Sequence, residues 1–109
     1  MIPKDVYKEF IRTGSDWADK HGAAELLEGA LKSLKAHLTL EAKKAESCSV
    51  SEAENIALSC SDYRDAMKSA VDARTESNKA RVRYDATKAL FEAQRTAEAS
   101  ERAAMRSAP

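Results

Sequence analysis

Apolar and small residues recur at alternating three- and four-residue intervals through the first third of the chain. Tyr7, Phe10, Gly14, Trp17, His21 and Ala24 keep one register, and after a shift of one position Leu27, Leu31, Leu34, Leu38 and Ala45 continue it. Such spacing lines one face of an α-helix. Pro3 suits the first turn, where its missing N–H would have no helical partner anyway. The pattern therefore predicts a helix over about 4–46. Gly14, Gly22 and Gly29 interrupt it, each costing about 1 kcal/mol relative to alanine in a helix interior. Because the apolar phase survives all three, one continuous helix, with Gly14 or Gly22 as the place for any bend, is favoured over two. Gly22 and Gly29 lie seven apart and so share a face where another backbone could approach closely.

The polar cluster Glu46-Ser47-Cys48-Ser49 ends this periodicity and opens a connector over 47–60. Ser49 followed by Glu52 is a capping-box pattern, which predicts a short helix over about 50–58. Ser61 with Asp62 is a second start signal, a hydroxyl cap and an anion at the positive end of a helix dipole. A long helix over about 61–106 should follow, near 67 Å in length at about 1.5 Å per residue. Its apolar stripe is thin: Tyr63, Met67, Ala70 and Val71, then Val82, Ala86, Ala89, Ala93 and Ala97, with a polar waist over 74–79 between them.

Alanine buries little area, so a single partner cannot hold this helix. The expected fold is all-α: two long antiparallel helices joined by a short one, an elongated coiled-coil-like hairpin forming one domain over 1–109. The C-terminal part of the last helix would be left to a second copy, making the protein a homo-oligomer. Asn78 has two readings, a buried polar residue that sets register or a solvated side chain.

From residue 30 to residue 108 the chain has neither glycine nor proline, and Arg74, Arg81, Lys88, Arg95 and Arg102 recur every seventh residue. This repeat sets five cations along one edge of the helix. Asp85, Glu92 and Glu98 sit three or four residues from those cations, so a salt-bridged outer face is one reading. Phosphate contact is the other. Eight basic side chains oppose five acidic ones between 74 and 106, a surplus that supports only weak, salt-sensitive contact with nucleic acid. Tyr84 and Phe91, seven apart, are the aromatic residues here that could stack on bases, and they read better as helix-packing residues. Arg74, Arg81, Tyr84, Lys88, Phe91, Arg95 and Arg102 together form the candidate interaction surface.

Composition narrows the classes. The 109 residues carry 18 basic and 18 acidic side chains, so net charge argues neither for nucleic-acid attraction nor for a DNA-mimic surface. No run of 18 apolar residues and no charged-then-apolar leader occurs, so no membrane partner and a cytoplasmic location are expected, host cytoplasm if the chain is phage-encoded. Cys48 and Cys60 lie twelve apart, away from His21 and His37, which argues against a metal site. Trp17 with His21 reads as an aromatic pair rather than a catalytic base with its orienting group, and there is no glycine-rich phosphate loop. No catalytic, cofactor or metal residue is nominated, and a non-enzyme is expected.

The stretch from Arg83 to Ala103, preceded by Leu58-Ser59-Cys60-Ser61-Asp62-Tyr63, resembles small all-helical proteins encoded by tailed phages and prophages. Those often sit near early recombination or replication genes. The resemblance implies a phage accessory factor binding a host or phage protein of DNA metabolism. A nucleic-acid-binding accessory using the 74–106 stripe and an inhibitor of a host defence enzyme are the alternatives.

Overall fold

The computed structural model describes residues 3–107 and is all-helical: α1 spans Lys4–Glu46, α2 Val50–Ser59 and α3 Ser61–Ser107. Among the described residues no helix is long and apolar enough to cross a membrane. α1 is unbroken at Gly14, Gly22 and Gly29. It ends where Ser47 turns left-handed, at φ 49°, and donates its N–H to the Lys43 carbonyl at 3.1 Å. That is the αL closure of a helix, made here by a residue with a Cβ and therefore at some cost. Ser49 caps α2 by accepting the Glu52 N–H at 3.2 Å. α3 starts one residue earlier than its cap pattern implies. The Cys60 carbonyl accepts the Arg64 N–H, so Ser61 is already inside the first turn rather than the capping residue.

Contacts gather into two compact units, one made of residues 1–19 with 78–109, the other of Lys20–Ser77. In the first unit the start of α1 runs antiparallel to the end of α3 through a ladder of rings. Tyr7 and Phe10 meet Phe91 at centroid distances of 6.3 and 4.7 Å, and Phe10 and Trp17 stack on Tyr84 at 5.5 and 5.3 Å. Each such pair adds about 0.5–1.5 kcal/mol beyond its buried area. Gly14 leaves room for this ladder, because a Cβ there would sit 3.3 Å from the Tyr84 ring. In the second unit α1, α2 and the start of α3 close over small side chains: Ala24, Ala42, Ala53, Ala57, Ala70 and Ser77 are buried, with Tyr63 as the one large buried ring.

The buried face of α1 follows one unshifted 3-4 repeat through Phe10, Thr13, Trp17, Lys20, Ala24, Leu27, Leu31, Leu34 and Leu38, with Leu27 at its exposed margin. The register of Tyr7, Gly14 and His21 is displaced by one residue from this face. Thr13, buried to 4 %, can occupy it because its hydroxyl donates to the Glu9 carbonyl at 2.7 Å and reaches the Phe10 carbonyl at 3.2 Å. Lys20 can do so because a lysine stem is apolar for most of its length. Farther on, Ala42 is buried and Ala45 exposed.

α3 departs from expectation more widely. Its buried face is Tyr63, Ala66, Ala70, Ala73, Ser77, Ala80, Tyr84, Thr87, Phe91, Gln94 and Glu98, again strictly 3-4. Asn78 is solvated, and the neighbouring Ser77 holds the buried polar position. Met67 and Val71 are 41 and 57 % exposed, and the Val82–Ala97 stripe lies on solvent.

The glycines give a stability test. A Cβ at Gly22 or Gly29 would meet nothing within 4 Å. G22A and G29A should each raise stability by about 0.5–1 kcal/mol in urea melts, while G14A gains less because of Tyr84. Equal gains at all three would contradict the aromatic ladder.

Candidate interaction surface on the last helix

The first four cations of the seven-residue repeat sit one residue beyond Ala73, Ala80, Thr87 and Gln94, which are buried or half-buried, so Arg74, Arg81, Lys88 and Arg95 lie on the rim of the buried face, while Arg102 follows exposed Glu101. Position along the helix then decides what each one meets. Arg74 folds onto α1. Its Nε and Nη2 donate to the two Glu28 carboxylate oxygens at 2.9 and 2.6 Å, Nη2 also donates to Glu25 at 2.9 Å, and Nη1 lies 3.1 Å from His21 Nδ1. A forked guanidinium–carboxylate pair is the strongest common form of such contact. Hydrogen bonding from Arg74 holds the Glu28 carboxyl below its ordinary value, and the Glu28 and Glu25 bonds raise that of Arg74. His21 thus belongs to this clamp. Trp17 instead stacks on Tyr84.

Arg81 lies with its guanidinium carbon 5.9 Å from the Trp17 ring centre and its Nε 3.8 Å from Asp85. Lys88, Arg95 and Arg102 are exposed. On the other rim, Arg83 reaches Asp16 at 3.6 Å. Tyr84 and Phe91, half-buried against Phe10 and Trp17, are absorbed by the first unit and offer little to an outside ligand. The seven nominated residues therefore divide. Arg74, Tyr84 and Phe91 hold α3 against α1, Arg81 does so in part, and Lys88, Arg95 and Arg102 face solvent.

The seven nominated residues do not include the solvent face beside that row. Val82 is 68 % and Leu90 49 % exposed, and Ala86, Ala89, Ala93 and Ala97 lie open with them. Val82 is two residues past buried Ala80, which turns it about 200° around the helix and away from α1. The Val82–Ala97 stripe, expected to be left to a second copy, does face away from α1. Among the described residues no group of three or more His, Cys, Asp or Glu side chains is placed to hold a metal ion. Cys48 and Cys60 are free thiols, both half-buried.

The Arg74 clamp has a defined pH signature. Glu28 is depressed in the folded chain, so its contribution is fully present above the unfolded glutamate value and is lost as pH falls through the depressed one. The melting-temperature difference between the wild type and R74A should be largest near neutral pH and shrink below about pH 4. A difference that is constant from pH 7 to pH 3 would contradict the clamp. No protein-family model, curated protein or solved structure matches this chain.

Proposed function

We propose that the chain is a non-enzymatic helical interaction protein and that the solvent face of α3 around Val82–Ala97 is its docking surface. One observation carries this reading. In a chain with 33 % charged residues, this face runs from Val82 through Ala86, Ala89 and Ala93 to Ala97 without a charge, although it is open to solvent. A helix surface with no packing duty is ordinarily its charged side. An uncharged face flanked by cations suits the groove or face of another helix.

The phage resemblance, carried by 83–103, supports a partner in DNA recombination or replication. Direct phosphate binding is the weaker reading, since Arg74 is engaged by two carboxylates and Arg81 lies beside Asp85. Too few cations remain for strong counterion-driven affinity.

Capture from infected cells, compared between the wild type and A89E, is the test. The captured protein should persist at about 0.5 M salt, because apolar contact is little screened, and should be lost with A89E. Neither single- nor double-stranded DNA should shift in a gel at physiological salt. A clear shift that disappears in K88E/R95E/R102E would overturn this reading in favour of nucleic acid.

A further inference from the structure

The face has an internal symmetry. Val82, Ala86, Ala89 and Ala93 are spaced four, three and four apart, so the set reads the same from either end. The rim beside it carries Arg81, Asp85, Lys88 and Glu92 in alternating sign. When two helices pack antiparallel, the same rim of each lies along the same rim of the other. Laid antiparallel on its own copy about position 87, this rim sets Arg81 opposite Glu92 and Asp85 opposite Lys88, and the same pairs recur by symmetry.

The uncharged positions superpose about a centre one residue farther on, 87.5 against 86.5 for the rim, Val82 on Ala93 and Ala86 on Ala89. Alanine at these layers permits close approach of the two helices. Within the chain the rim is weakly committed, for Arg81 Nε stands 3.8 Å from Asp85.

Resting on the reading of this face as a docking surface, we propose that its occupant is a second copy of the chain. The two α3 helices pair antiparallel about a two-fold axis near position 87, and the interface is isologous. Val82 and the alanines make the apolar contact, while the alternating rim sets direction and register. Parallel pairing would lay this rim along the other rim of the partner helix and would forgo these charge pairs.

Sedimentation equilibrium at tens of micromolar tests the arrangement. The wild type should show twice the monomer mass. R81E/K88E makes the rim wholly acidic and D85K/E92K makes it wholly basic. Each should be monomeric alone, and an equimolar mixture should recover the dimer mass. Because Arg81 also rests on Trp17, A89E serves as the second variant and should be monomeric with unchanged helicity by circular dichroism. A monomeric wild type, a dimeric A89E, two rim variants that stay dimeric, or a mixture that stays monomeric would each overturn the proposal. A monomeric wild type that still captures a protein in an A89E-sensitive way would remove the second copy and leave the docking face. A dimer whose captures ignore A89E would remove the docking of other proteins and leave the second copy.

Discussion

The surface of α3 follows from a single constraint, the shared seven-residue period of its buried face and its basic row. Ala73, Ala80, Thr87 and Gln94 turn inward, and Arg74, Arg81, Lys88 and Arg95 follow each by one residue. With both sets on one period, no cation can drift into the buried face or out to the far side along the helix. The basic row is thus a rim, where a long side chain can reach either inward across α1 or outward to solvent. Arg74 takes the first course and Lys88 the second.

The two units hold α1 against α3 by different chemistry. Residues 1–19 with 78–109 use stacked rings, a large apolar area concentrated in five side chains. Lys20–Ser77 uses alanine and serine contacts, which bring backbones close but bury little, and adds the Arg74 clamp with Glu25 and Glu28. Many large apolar side chains remain at the surface, Leu26 at 77 % and Val82 at 68 % among them. Such exposure is high for a chain that must also be stable, since apolar burial is the main favourable term in folding. A surface of this kind gains from being covered.

Helix boundaries were legible because they depend on neighbours in sequence. Pro3, the Ser49–Glu52 cap and the absence of glycine and proline from 30 to 108 delimit segments within a residue or two of those observed. The buried faces were less legible. Thr13 and Lys20 in α1, and Ser77, Thr87 and Gln94 in α3, hold buried or half-buried positions without an apolar signature. Reading apolar residues alone set Tyr7, Gly14 and His21 one residue off the buried face of α1, and in α3 it found Tyr63 and Ala70 but also took exposed Met67 and Val71. The Arg74 clamp joins residues 46 and 49 apart, a separation at which no local spacing rule operates. Position in the repeat would have distinguished Tyr84 and Phe91 from Lys88 and Arg95, once the buried face was known.

Direction of pairing between two copies of α3 tests the account most directly. In a chain with Cys48 and Cys60 replaced by serine, nitroxide labels attached through R95C and, separately, E101C report the separation between copies by pulsed electron resonance. Antiparallel pairing centred near position 87 predicts about 25 Å for the label at 95 and about 40 Å for the label at 101, from twice the helical rise between each position and the centre. Equal short distances at both sites, or no distance between copies at either, would contradict it.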